Sequence, residues 1–262
     1  MVSAHLDLDV QTPTELLLAV AVAHGSWDRE ELLEVRGEHG LLAVEELKTT
    51  HGGRMHRLQA PTGTVVVDYR ATVVGQAEPP TVDDLDLVEY LRPSRYADSD
   101  RLLDFARDQF GDARGADLLH EVTGWVGNHV RFLPGVSLPT DGATDTLLKR
   151  RGVCRDFAHL TIALLRARDM PARLVSVYAP GLDPMDFHAV VEAYVDGAWQ
   201  VADATGMAPL DTMVRIATGR DAADTAFCSS YGGAAFLRWV TVAAQAYDVP
   251  APDDPAAPAV LH

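Results

Sequence analysis

Cysteine is scarce: Cys154 and Cys228 are the only two in 262 residues. Two thiols 74 positions apart are too few for a disulfide framework. Positive charge is scarce as well, with 22 Lys and Arg against 38 Asp and Glu and a formal net charge of −16. A surface that negative repels phosphate backbones and anionic headgroups, so neither nucleic acid nor a membrane surface is expected as a partner. Long hydrophobic runs are missing too; no stretch approaches the ~20 apolar residues of a membrane span. The opening MVSAHLDLDV has neither the basic start nor the continuous apolar core of a signal peptide. A cytoplasmic location is the resulting expectation. Hydrophobic residues, by contrast, make up 47% of the chain, enough for one large or two modest cores.

The hydrophobic pattern changes period near residue 80. In AHLDLDV, Leu6, Leu8 and Val10 alternate with His5, Asp7 and Asp9, and GTVVVDYRATVVG is rich in β-branched residues. Glycine-containing breaks at HGS, GEHG, HGG and PTG separate such runs at hairpin-like spacing. Residues 1–78 therefore read as an N-terminal antiparallel β-sandwich-like domain. His51 and His56 in HGGRMH lack neighbouring Cys or carboxylate ligands, so no metal is expected there. GQAEPPTVDDLD (75–86) suits a linker.

Beyond it the apolar spacing becomes helical. DSDRLLDFARDQFG offers a cap at Asp98 or Ser99 and a stop at Gly111. GADLLHEVTGWVGNHVRFLPG continues helically, with Gly124 and Gly127 weakening its middle. VCRDFAHLTIALLRARDM is a third helix, stopped before Pro171. Three strand-like segments follow, ARLVSVYAPG, DFHAVVEAYVDG and AWQVADATG, the last two joined by a hairpin through Asp196-Gly197. Residues 79–249 thus read as an α+β domain and the Pro/Ala-rich 250–262 as a disordered tail.

Cys154 lies between Gly152 and the third helix, at that helix's start. Unsatisfied backbone N–H groups there favour a thiolate and can also hold a developing oxyanion. The competing reading is a buried packing residue, the commonest role of a lone cysteine. A nucleophilic cysteine needs a base, and usually a third group to orient it. His159 sits about 140° round the same helix; His120 and His129 belong to another helical segment. His188 opens a strand, and counting through the Asp196-Gly197 turn sets Asp203 near its level on the next strand. An acid beside a strand-borne imidazole fixes its tautomer and supports its cation.

GVCRDFAHLTIALLRARDMPARLVSVYAPG, followed by DFHAVVEAYVDGAWQVADATG, resembles the transglutaminase-like superfamily, in particular its bacterial members regarded as cysteine proteases. The resemblance implies a papain-like α+β core behind an N-terminal β domain. It implies Cys154, His188 and Asp203 as the catalytic triad, with no metal or organic cofactor. Where many relatives have Asp-Pro-Thr, this chain has Asp203-Ala204-Thr205, which retains the acid. Tyr96 and Trp125 are candidate side chains for the cleft or the oxyanion hole, and Arg155 and Asp156, flanking the cysteine, are further substrate-binding candidates. GRDAAD (219–224) either walls the cleft or starts a helix; Cys228 is expected to be structural.

The expected chemistry is acyl transfer from an amide through a Cys154 thioester, on a peptide or protein substrate. Water as acceptor gives a peptidase or amidase; a lysine-like amine gives a crosslinking transglutaminase. A non-catalytic peptide-binding module on the same fold is the rival from another class. A metal-dependent hydrolase lacks its His-Glu-x-x-His signature here.

Overall fold

A computed structural model of the chain describes residues 1–75, 78–79, 81–247 and 261. Seven strands fill the first part: β1 (Val2–Thr12), β2 (Thr14–Leu18), β3 (Asp28–Gly37), β4 (Gly40–Leu41), β5 (Glu45–Lys48), β6 (Arg54–Ala60) and β7 (Gly63–Val74). In β1, Val2, Ala4, Leu6, Leu8 and Val10 are buried while Ser3, His5, Asp7 and Asp9 stay partly exposed, the period-2 pattern of a strand with one face on a core. The helical part follows with α1 (Asp84–Glu89), α2 (Leu103–Phe110), α3 (Gly115–His129), β8 (Arg131–Phe132), α4 (Ala143–Lys149), β9 (Arg151–Gly152) and α5 (Cys154–Arg166). Then come β10 (Ala172–Tyr178), β11 (His188–Val195), β12 (Ala198–Ala202), β13 (Val214–Gly219), α6 (Ala222–Thr225), β14 (Cys228–Tyr231) and β15 (Ala234–Ala244).

The α+β class holds, with antiparallel sheets at the N-terminal side. One sheet runs β15-β1-β7-β3-β4 and the other β14-β2-β6-β5. The expected split at residue 78 assigned 228–244 to the second domain, whereas β14 pairs with β2 and β15 with β1. These pairings join residues more than 200 positions apart, so no local pattern announces them. The apolar run after Leu18 leaves the sheet yet stays buried through Ala23. Its carbonyls find partners in side chains: Arg29 and Arg54 donate to Val22 O, Arg29 also to Ala23 O, and Tyr178 Oη to Val20 O.

A third sheet runs β12-β11-β10-β13, and α5 packs against β10 and β11 with α3 and α4 on its flanks. α5 is buried from Asp156 to Arg166, the signature of a central helix. Its Phe157, Leu160 and Leu164 share a core with Val122 and Val126 of α3 and with Leu174, Val191 and Ala193 of the sheet. Three boundaries differ from expectation. α2 starts at Leu103 after a 3-10 turn over Ser99–Arg101, because the Asp98 carboxylate is engaged by the Thr144 N–H instead of capping. α5 stops at Arg166, where Asp169 turns left-handed (φ 61°) and Met170 N–H closes on Leu165 O. The expected linker yields to α1, whose N-cap Asp83 accepts from Leu85 N–H. The tail 250–262 lies outside the described residues except for Leu261, which is buried beside Val175, Val190 and Met213.

Candidate active site

The first turn of α5 is built around Asp156. Its Oδ2 accepts the Val153 N–H at 2.8 Å, and its Oδ1 accepts from Ser137 Oγ at 2.9 Å and from Arg155 Nη2 at 3.3 Å. To reach back this way the carboxylate folds over residue 152, where a Cβ would stand 2.6 Å from it. Only glycine fits there. Asp156 is 1% exposed, so the expectation that it contacts substrate is corrected: its oxygens are taken up in pinning the helix start and the 137–138 loop. Cys154, first in the helix, keeps partial exposure, and its Sγ lies 3.9 Å from Phe187 O.

Phe187 leads into β11. Asp196 (φ 51°) and Gly197 (φ 89°) make the tight turn to β12, and the ladder places Val191 opposite Ala202. Carried one step further, that register sets Asp203 level with Val190, diagonal to His188, which lies two residues away on the same face of β11. His188 Nε2 and Asp203 Oδ2 are 2.7 Å apart, and both residues are buried. Thr205 completes the carboxylate's shell, its N–H and hydroxyl each 2.8 Å from Asp203 Oδ1. α3 closes over this turn at Gly127, where a Cβ would come within 2.7 Å of Ala204 O. The glycine that reads as a helix weakness is thus a close-approach point.

Burial disfavours a charged His188, but the Asp203 carboxylate, with a smaller contribution from Cys154, outweighs it and pushes its pKa up to about 10. For Asp203, burial acts upward, yet the His188 charge and the Thr205 donors bring its pKa below the ordinary carboxylate value. With Nε2 on Asp203, Nδ1 is the ring nitrogen left for the sulfur. The imidazole is joined to the carboxylate and the thiol stands beside the residue that precedes that imidazole, an arrangement that can activate sulfur and later return a proton.

The remaining candidates separate. Tyr96 stacks on His159 (centroids 5.1 Å apart, planes 7°), flanked by the guanidinium groups of Arg95 and Arg155 at 4.7 and 5.8 Å. Arg155 donates to Ser137 Oγ and Leu138 O, each at 2.7 Å, so it braces the loop beside the cysteine. Trp125 goes elsewhere: it packs between Phe105, Phe110 and His129 in the helical layer. His159 is fully buried, accepts the Ala222 N–H, and is driven down to about 3 chiefly by burial. Within GRDAAD, Asp221 caps α6 and accepts the Tyr96 N–H, so this segment starts a helix and holds the Tyr96 loop. His51 meets Tyr90 Oη and His56 meets Glu46, and no group of metal-ligating side chains occurs among the described residues. The roles of Thr205 and Ser137, and the helix α4, escaped the sequence reading, although Asp145, whose carboxylate accepts the Gly142 N–H, is an acidic residue suited to a first helical turn.

Residues 104–204 match the family model of the transglutaminase-like superfamily. A crystal structure of a "putative cysteine protease" from Cytophaga hutchinsonii superposes with a TM-score of 0.86 at 34% identity, over 99% of this chain and 94% of that one. The chain belongs to the transglutaminase-like superfamily. Among sequences, an uncharacterized protein of Mycobacterium leprae is 31% identical over 110 residues. That match spans 39% of each chain. Within this superfamily member, the matched segment runs from α2 through the turn at Asp203 and so contains the helix start, the imidazole and the carboxylate together.

Proposed function

We propose that this transglutaminase-like protein hydrolyses amide bonds in peptides or proteins through a Cys154 thioester. The observation that carries the reading is the buried 2.7 Å His188–Asp203 contact, with the Cys154 sulfur 3.9 Å from the carbonyl of Phe187, the residue just before that histidine. With the thiol's proton already held on His188, the Cys154 sulfur attacks the carbonyl carbon. The resulting oxyanion is held by backbone N–H groups at the start of α5. Collapse expels the amine, which leaves with the proton from His188, and a thioester remains on Cys154. Water then attacks, giving its proton to His188, and the acid is released as the thiol re-forms. Asp203 holds the ring in the productive tautomer and supports its cation throughout. The solved structure of the Cytophaga hutchinsonii relative, described as a "putative cysteine protease", favours water over an amine as the acceptor.

The test is to quench the protein during turnover of a fluorogenic peptide-amide mixture and weigh it intact. The expected result is an acyl adduct on Cys154 that decays in water and disappears in Cys154→Ala. A product coupled to added primary amine in preference to free acid would make it a crosslinking enzyme. No adduct and no turnover, with retained peptide binding, would make it a binding module.

A further inference from the structure

We infer that the substrate is an acidic peptide, recognised by an arginine cluster beside the nucleophile; this rests on the hydrolytic reading above. The chain as a whole carries a net charge of −16, yet residues 131–156 hold five cations, Arg131, Lys149, Arg150, Arg151 and Arg155, against three carboxylates, Asp141, Asp145 and Asp156. The carboxylates are all engaged locally. Lys149 Nζ and the Leu138 N–H take Asp141, the Gly142 N–H takes Asp145, and Arg155 with Ser137 and the Val153 N–H takes Asp156. Arg131, Arg150 and Arg151 are exposed and form no ion pair or side-chain hydrogen bond among the described residues.

These three arginines are neighbours. β8 and β9 pair in parallel with Arg131 directly opposite Arg151, and the Arg131 N–H donates to Arg150 O at 3.0 Å. Paired strands lie about 4.8 Å apart, so the two side chains start side by side, an unfavourable like-charge contact unless an anion joins them. Arg150 is held left-handed (φ 51°) at the end of α4, adding a third guanidinium where the chain turns into β9. Arg151 precedes Cys154 by three residues, at most about 11 Å of extended chain. An extended peptide whose carbonyl reaches the thiol needs only about three or four further residues to span the distance to this cluster. Guanidinium groups bind carboxylates in a bidentate fashion, and the field of an acidic protein otherwise repels an acidic peptide. The cluster therefore selects where such a chain lands.

The experiment uses fluorescein-labelled octapeptides of glutamate, glutamine and lysine, with anisotropy read on the full chain and on Cys154→Ala. The glutamate peptide should bind at least about tenfold tighter than the other two, weakening as salt rises from 50 to 300 mM. The double variant Arg131→Glu/Arg151→Glu should lose that preference, while Arg70→Glu, an exposed arginine on β7, keeps it. Equal binding of the three peptides would overturn the inference, as would equally tight capture of a single-stranded oligonucleotide, which would mean unselective anion adhesion. In parallel, kcat/KM is compared for peptide amides bearing Glu or Lys beside the scissile bond. Glutamate binding without any cleavage would sink the hydrolytic reading and leave the recognition standing; cleavage indifferent to the acidic residue would do the reverse.

Discussion

Cys154 and Cys228 are both free thiols of intermediate exposure, and their surroundings share almost nothing else. Cys228 opens β14, opposite Leu18 on a sheet edge, and burial alone acts on it, pushing its pKa up to about 11. Cys154 opens a central helix, with unsatisfied N–H groups behind it and a charged imidazole before it. Exposure by itself therefore does not separate the two thiols; the helix start and the histidine beside Cys154 do. The two side by side form an internal control.

The largest effect that sharpens this contrast is on turnover. Cys154→Ala should lower the rate by about four orders of magnitude, whereas Cys228→Ser should leave it within about twofold, both read as initial rates on a peptide amide. Comparable losses from the two would break the comparison.

Next comes the carboxylate. Asp203→Asn keeps the shape and removes the charge, and by analogy with serine triads should cost about 10³- to 10⁴-fold in kcat. Asp203→Ala should also lower the unfolding free energy by about 3 kcal/mol in urea titrations at pH 7, the scale for breaking a buried ion pair. The sign of its pH dependence follows from the two shifts. The raised His188 pKa stabilises fully below about 6.5 and fades as pH rises through about 10, and the depressed Asp203 pKa stabilises until pH falls below the ordinary carboxylate range. The difference between wild type and Asp203→Ala should therefore be greatest near pH 5–7 and shrink on both sides.

The glycines give a smaller effect of the same kind. Gly152→Ala forces a Cβ against Asp156, and Gly127→Ala forces one against Ala204 O. Each should cost about 1–3 kcal/mol of stability and lower kcat, because the clash displaces the helix start or the Asp203 turn. A fully active, fully stable Gly152→Ala would mean that Asp156 does not hold the turn.

The ring environments of the other histidines set the smallest effect. His51 is lowered to about 4 and His159 to about 3, in each case mainly by burial. Both fold neutral, so the unfolded chain binds more protons between pH 6.5 and 4, and stability should fall across that window as pH drops. Two such groups contribute a slope of at most about 2.7 kcal/mol per pH unit. His159→Gln should flatten the fall in urea midpoint.

How much of this was legible in the sequence depended on the range of the interaction. The hairpin register follows from counting through Asp196-Gly197, because a two-residue turn fixes which residues oppose one another. The helix start follows from the glycine, the cysteine and the apolar spacing after it. β14 and β15 were missed as parts of the sandwich because their partners lie at the other end of the chain. The engagement of Asp156 was not legible either: it was named for its place beside Cys154, and only the packing of Ser137 and Gly152 around it shows that its oxygens are taken up. Trp125 likewise could not be placed from its neighbours in sequence, since α3 turns it toward Phe105 and Phe110.

The most direct measurement of the central claim is competitive alkylation of the two thiols by iodoacetamide at pH 7, resolved by peptide mass. Cys154 should label at least about 100-fold faster than Cys228, and His188→Ala should abolish most of that advantage with the fold intact by circular dichroism. Equal rates at the two sites, or an advantage that survives His188→Ala, would contradict the account of Cys154 as a thiol activated by His188.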